Sequence, residues 1–347
     1  MSGTDVCVII AAHNAADTIG TAIASALREP EVVEVIVVDD ASTDATEAVA
    51  HASEDGSGRL MVLRLDVNRG PSFARNMAIR HSTSPLIAIL DADDFFLPGR
   101  FGPLVLASDW DIVADNLVFV RDPRALGSKL PSFAAEPASL DLASFVEGNI
   151  SRRGAQRGEL GFLKPIIRRD FLDEHGLAYD ENLRLGEDYA LYAWALLLGA
   201  RFRLVRTCGY AAVVRPNSLS GRHSTDDLWR LADVDQTLLT LPGLSGDARK
   251  ALQRHERHMR DKYRLRRFLD LKAEVGLVDA ATFAFGSQGH FRAVFSGVAR
   301  DKFEPLLRLS VGRGGEPQVR YLLPGTMLAA STDHAADLGW PPNSKSE

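Results

Sequence analysis

Only two cysteines occur in 347 residues, Cys7 and Cys208, both inside apolar stretches. No Cys-x-x-Cys pair or matching histidine spacing offers a zinc site, and a single distant pair is no disulfide framework. Two buried thiols in a reducing compartment are expected. Long hydrophobic runs are missing too. The longest, Tyr189 to Ala200, falls short of the roughly 18 residues that a spanning helix needs. The start, MSGTDVCVIIAAHN, has no basic stretch before its short apolar run, so no secretory leader is expected and the location predicted is cytoplasmic. A basic excess is absent: 40 Lys and Arg face 46 Asp and Glu, a net charge of -6, which argues against nucleic acid as a partner. The glycine fingerprints of nucleotide cradles are also lacking. AAHNAADT after the first apolar run holds no glycine of a G-x-G-x-x-G turn, and no G-x-x-x-x-G-K occurs.

What is present reads as an ordinary folded chain, 46% hydrophobic and 25% charged, long enough for about two domains. VCVII (6–10), VEVIVV (33–38), LMVLRL (60–65) and PLIAIL (85–90) read as buried strands, and helical patterns near 17–28, 44–53 and 71–82 separate them. Strands that are apolar on both faces and regularly spaced imply βαβ crossovers and a parallel sheet. The fold class predicted from this pattern is α/β, an open, doubly wound sheet of parallel strands flanked by helices, with a helical C-terminal extension. A further strand lies in WDIVADNLVFV, an irregular stretch rich in Pro, Ser and Arg runs to about 160, a helix covers 187–199, and RFRLV and GYAAVVR read as a strand pair. Beyond Asp226 the pattern is helical. Residues 249–267 carry nine Lys or Arg against two acids. From about Gly312, Gly, Pro and Ser without periodicity predict partial disorder.

Each carboxyl end in the first hundred residues is polar: AAHN, DDASTD, DVNRG and DADD. In open α/β sheets, ligands bind along that edge. Asp91, Asp93 and Asp94 offer hard oxygen donors for a divalent cation, with positions left for a substrate's phosphates. Taken alone, such acids serve equally well as turn formers or helix caps. Asp39 and Asp40 end the second strand and can accept hydrogen bonds from a ribose or the N–H edge of a base, while Ser42, Thr43 and Asp44 read as turn and N-cap. Glu187 and Asp188 open a helix, where the macrodipole already favours acids.

VIIAAHNAADTI, EVIVVDDASTDAT, NRGPSFARNMAI, PLIAILDADDFFLPGR and LGEDYALYAWAL, in this order across roughly residues 4–225, resemble the GT-A-fold family 2 glycosyltransferases, which implies a Rossmann-like, mixed and mostly parallel sheet flanked by helices. FLKPIIRRDFLDE and the basic helical C-terminus resemble bacterial exopolysaccharide enzymes of the succinoglycan type. The resemblance implies an inverting, metal-dependent transferase that moves a hexose, glucose from a UDP-sugar donor, onto a polyprenyl-diphosphate-linked oligosaccharide. It implies Mn²⁺ or Mg²⁺ ligated by Asp93, with Asp91 at the metal, ribose or diphosphate and Ala92 between them. Asp40 would bind the uracil edge, in a pocket that includes Ala11, His13, Asn14 and Asp39. His13 stands where the family usually has a stacking tyrosine. Asn68, Arg69 and Gly70 would form the loop under the nucleotide, and Arg75 would orient the acids. Asp188 would be the catalytic base. Lys164, Glu187, Arg215, Ser218 and His223 flank it as diphosphate or acceptor contacts.

The implied division is a catalytic domain over 1–225, with a nucleotide-binding half (1–100) and an acceptor half (101–225), a basic helical region over 226–311 and a tail over 312–347. The basic segment reads either as a solvated face or as a peripheral contact with the anionic inner membrane, with Trp229, Tyr263 and Phe268 as anchors or core. A nucleotidyltransferase is disfavoured because it needs a Gly-rich N-terminal loop. A catalytically silent nucleotide-sugar-binding scaffold of a polysaccharide assembly remains the alternative of another class, as does a transferase with another donor and acceptor.

Overall fold

The computed structural model describes residues 3–126, 139–151, 158–215, 224–308 and 319–323. Its first half follows the apolar runs. Strands β1 (Val6–Ala12), β2 (Val32–Asp39), β3 (Leu60–Arg64) and β4 (Leu86–Ile89) alternate with helices α1 (Ile19–Leu27), α2 (Thr46–Ala52) and α3 (Pro71–His81). The strands pair in parallel in the order β3-β2-β1-β4. Helices cover both faces of β1, so six of its seven residues are buried, whereas β3 at the edge has none fully buried.

The second half makes the sheet mixed. It contains β5 (Phe95–Phe96), α4 (Phe101–Val105), β6 (Ile112–Val120), β7 (Ser139–Leu140), α5 (Leu142–Gly148), β8 (Ile166–Arg168), α6 (Arg169–His175), α7 (Glu187–Leu197) and β9 (Phe202–Val213). The order continues β4-β8-β6-β9-β5, with β8 antiparallel to both its neighbours and β6 parallel to β9. The expected strand pair over RFRLV and GYAAVVR is one continuous strand, β9. Its alternation breaks because the register against β6 shifts around Asn116 and Cys208. Both cysteines are buried free thiols, and burial pushes the Cys7 thiol up to about 12.

Helices α8 (Thr225–Thr240), α9 (Gly246–Glu274), α10 (Leu277–Phe285) and α11 (Gln288–Arg308) follow, then β10 (Val319–Tyr321). A capping box starts α8: the Ser224 hydroxyl accepts from Asp227 N, and the Asp227 carboxylate accepts from Ser224 N. Along α9, Ala248, Ala251, Leu252, His255 and Met259 are buried at helical spacing, which leaves the basic residues on its outer faces. Leu228, Leu231, Leu238 and Leu252 belong to the same apolar core as the sheet, so packing runs unbroken across the expected boundary at 225. Within the segment expected to be partly disordered, residues 319–323 are ordered. There β10 pairs antiparallel with β6, Leu322 is buried, and the Asn116 side chain bonds both N and O of Leu323. The other residues of that segment, 312–318 and 324–347, lie outside the described ones.

Candidate active site

The ends of β1 and β2 interlock. Asn14, at φ 50°, takes the left-handed conformation that asparagine tolerates best after glycine, which frees its backbone N–H to bond Ser42 Oγ at 2.9 Å while its side-chain oxygen accepts from Thr43 N at 2.8 Å. The exposed His13 ring bonds the Asp40 carbonyl at 2.8 Å. Ala11 is half-buried on β1, beside Val38.

The paired acids of β2 separate in role. The fully buried Asp39 carboxylate accepts from Ser42 N at 3.0 Å and from Arg64 at 2.5 Å, closing the turn and tying down edge strand β3. The Asp40 carboxylate turns towards the loop after β3 and accepts from Arg69 N at 2.6 Å and Gly70 N at 2.8 Å. Gly70 sits at φ 89°, a conformation that a side chain would strain, and Asn68 donates to the Asp40 carbonyl at 3.3 Å. Asp40 therefore fixes the Asn68–Gly70 loop against the end of β2.

The third cluster joins distant parts of the chain. Asp91 follows β4, and its two oxygens each meet a cation at 2.8 Å, Arg75 from α3 on one and Lys164 from the segment before β8 on the other. Lys164 also reaches Asp188 Oδ2 at 2.8 Å, and Arg75 reaches Glu187 at 2.8 Å and Asp188 Oδ1 at 3.5 Å. Arg75, Lys164 and Asp188 are all buried, so these ion pairs are little screened by solvent. Gly186 supplies the entry to α7 at φ 73°, and a Cβ there would fall 2.8 Å from Leu231. That close approach seats the start of α7, with Glu187 and Asp188, against α8. Asp188 Oδ1 is buried and has no hydrogen-bond partner.

Charge and burial set the titration of the acidic run. Burial alone would raise the Asp91 carboxyl, but the Lys164 ammonium and Arg75 guanidinium hold it down to about 2. The same two acids, Asp188 and Asp91, outweigh the effect of burial on Lys164 and keep it protonated. Asp93 is raised by burial and by the Asp91 charge beside it, with Arg215 opposing. Asp94 is raised further by burial and by both neighbouring acids, and it is locked onto β9 by the Tyr210 hydroxyl and Val213 N, each at 2.8 Å.

A metal fits part of this set. Asp93 carries a carboxyl whose ionisation is penalised by burial and by Asp91, a penalty that a cation would relieve, whereas Asp91 already has a cation on each oxygen. Among the described residues no group of three or more His, Cys, Asp or Glu is arranged to hold an ion by itself. A hard divalent ion at Asp93 would complete its shell with substrate phosphate and water, as Mg²⁺ commonly does. Ala92, between the two acids, is buried.

Of the residues singled out from the sequence, Asp91, Asp93, Arg75, Lys164, Glu187 and Asp188 form or border one charge cluster, and His13, Asn14, Asp40, Asn68 and Gly70 form a second at the ends of β1 to β3. Ser218 and His223 lie outside the described residues. Two tyrosines join the site without any signal in the sequence. The Tyr210 hydroxyl accepts from Asp91 N at 3.1 Å as it donates to Asp94. The Tyr179 hydroxyl is buried without a hydrogen-bond partner, its ring 5.3 Å from the Arg75 guanidinium. Neither carries a motif, and each reaches the site only through tertiary contact.

A parallel nucleotide-type half, an antiparallel continuation and acids gathered at the shared carboxyl edge define a glycosyltransferase of the GT-A architecture. The chain belongs to glycosyl transferase family 2, whose model matches residues 7–155. It is 54% identical over 326 residues to the succinoglycan biosynthesis protein ExoU of Rhizobium meliloti (strain 1021), covering 92% of this chain and 95% of that one. It is 38% identical to ExoO, a second succinoglycan biosynthesis protein of that strain, over 74% of each. A shorter stretch, 26% of this chain and 36% of the relative, is 36% identical to WfaP of Escherichia coli, a UDP-Glc:alpha-D-GlcNAc-diphosphoundecaprenol beta-1,3-glucosyltransferase. In fold it is similar to S. aureus TarS 1-349 in complex with UDP-GlcNAc, with a TM-score of 0.58, 19% identity and coverage of 88% and 86%.

Proposed function

We propose that the chain is an inverting, metal-dependent hexosyltransferase of exopolysaccharide assembly. It moves glucose from UDP-glucose to a polyprenyl-diphosphate-linked oligosaccharide at the cytoplasmic face of the inner membrane. Residues 1–100 take the nucleotide, residues 101–225 the acceptor, and the helical region over 226–311 buttresses α7. The names of ExoU and WfaP support the pathway, the donor and the lipid carrier.

The observation that carries the mechanism is the state of Asp188. One of its oxygens is fixed by Lys164, and the other, buried and without a hydrogen bond, has the Arg75 guanidinium 3.5 Å away beside the donor-edge acids. That leaves a held carboxylate oxygen to take the proton from an acceptor hydroxyl. The hydroxyl oxygen bonds to the anomeric carbon, the bond from that carbon to the diphosphate breaks on the opposite face, and one displacement inverts the centre without a second nucleophilic carboxylate. Mn²⁺ or Mg²⁺ at Asp93 and the diphosphate would stabilise charge on the leaving group. Arg75 and Lys164 hold Asp91 and Asp188 in register across the cleft. Asp40, with the Asn68–Gly70 loop, His13, Asn14 and Ala11, borders the nucleotide.

Calorimetric titration of UDP-glucose, with UDP-galactose and GDP-mannose as controls, in Mn²⁺ and then in EDTA tests the donor and the metal together. Binding of UDP-glucose alone, lost in EDTA, is expected. Binding of a control sugar nucleotide instead would overturn the donor assignment, and undiminished binding in EDTA would overturn the metal.

A further inference from the structure

The C-terminal helices leave a continuous apolar surface on an acidic protein. On α10, Leu277, Val278 and Phe285 are 67%, 79% and 73% exposed, and on α11 Phe291 and Phe295 are 44% and 66% exposed. Leu277, Val278, Ala281, Thr282 and Phe285 line one open groove, the spacing of a single helix face. The rings carry the surface onward: Phe285 and Phe291 lie 5.6 Å apart, and Phe291 and Phe295 stack at 5.7 Å. A contiguous patch of this kind marks an interaction site, whereas single exposed apolar residues do not.

Its setting is basic. Helix α11 lies along α9, with Gly289 against the Arg264 guanidinium and Gly297 against Leu265. Across its length α9 carries ten Lys or Arg against five acids, while the whole chain nets -6. Arg292 is exposed beside the phenyl rings. Among the described residues no helix is long and apolar enough to cross a membrane.

We propose that α10 and α11 form a membrane-docking surface, laying Leu277, Val278, Phe285, Phe291 and Phe295 into the interfacial layer of an anionic bilayer while α9 supplies electrostatic attraction. Pairing with a second copy through the same face would bring two basic helices together, whereas anionic headgroups neutralise them. The surface differs from the anchors expected from the sequence. Trp229, 45% exposed, lies on α8 with Arg260 4.4 Å from its ring and Tyr263 5.2 Å away, apart from the α10–α11 ridge, and Phe268 is half-buried. The inference rests on the reading of a lipid-linked acceptor, because it puts the enzyme where that acceptor is found.

Co-sedimentation of the full chain with phosphatidylcholine vesicles, with and without phosphatidylglycerol, tests it, beside the double variant Phe285→Ser/Phe295→Ser. Binding only to the anionic vesicles, weakened by salt, is expected. The double variant should bind them about tenfold or more weakly, since it removes two large apolar side chains, and should keep the parent's melting temperature and donor affinity. A parent chain that ignores anionic vesicles, or a variant that binds them as well as the parent, overturns the proposal. So does a concentration-dependent dimer that the variant abolishes, which would assign the face to a second copy. Donor titration needs no vesicle and vesicle binding needs no acceptor, so failure of the surface and failure of the proposed reaction are read separately.

Discussion

At the scale of single residues, the site is a problem of charge held out of water. Arg75 and Lys164 bring two cations to Asp91, Glu187 and Asp188: two guanidinium nitrogens of Arg75 and the one ammonium of Lys164 each bridge the end of β4 to the first turn of α7. Asp188→Asn keeps the shape and the hydrogen bond to Lys164 but cannot take a proton. Its kcat should fall about 10²–10⁴-fold with donor affinity unchanged, and a variant at full rate in a steady-state assay would put the base elsewhere. Asp93→Ala should weaken UDP-sugar binding in Mn²⁺ by about tenfold or more, leave EDTA-treated binding as it was and preserve the circular dichroism spectrum. Equal affinities for the variant and the parent in Mn²⁺ would remove Asp93 from the metal. Lys164→Met strands two carboxylates at once, so a stability loss of about 3 kcal/mol in urea titration is expected, with Lys164→Arg recovering part of it. An unshifted midpoint in the methionine variant would mean that the pair contributes nothing.

At the scale of elements, the acidic run is aimed by what lies just before β4. Glu34 on β2 accepts from the hydroxyls of Ser82, Thr83 and Ser84, each at 2.7 Å, and so clamps the turn between α3 and β4. Burial would raise this carboxyl, but the hydrogen bonds win and hold it at about 2, below its ordinary 4.5. A depressed carboxyl stabilises the folded chain fully above the unfolded value and loses that contribution as pH falls towards about 2. Urea midpoints should therefore drop more steeply for the parent than for Glu34→Gln between pH 4.5 and 2, and parallel curves would discount the clamp. The first four strands were legible because each is a long apolar run at a regular interval. Strand β8 was not, since three residues inside FLKPIIRR carry no alternation, yet it inserts antiparallel between β4 and β6 and delivers Lys164 to the site.

At the scale of the whole molecule, the helical region is a structural partner of α7. Tyr189, next to Asp188 on α7, donates to Asp235 of α8 at 2.5 Å, and His255 of α9 meets the other Asp235 oxygen at 2.6 Å with its ring stacked on Tyr189. All three are buried. A chain cut after residue 225 loses this network and, with it, the Leu231 side chain that covers Gly186 at the start of α7, so it should be recovered misfolded or aggregated. A soluble fragment with the parent's donor affinity would show that 1–225 stands alone. Asp235→Ala leaves a tyrosine and a histidine unpaired and should cost about 1–3 kcal/mol by denaturant titration, and no loss would mean that the network is slack.

The sequence alone determined the strands of the first half, the acidic carboxyl edge, the entry of α7 at Glu187 and the basic helix, because each is a local pattern of hydropathy or charge. Tertiary structure decided which acids share a cation, since Arg75 and Glu187 are 112 positions apart and only the sheet order brings them together. It also gave Asp39 to the fold and Asp40 to the loop under the proposed nucleotide site, although the two are adjacent and chemically identical. The exposed phenyl ridge was equally hidden, because periodicity marks a helix face as apolar but only packing reveals that nothing in the described chain covers it.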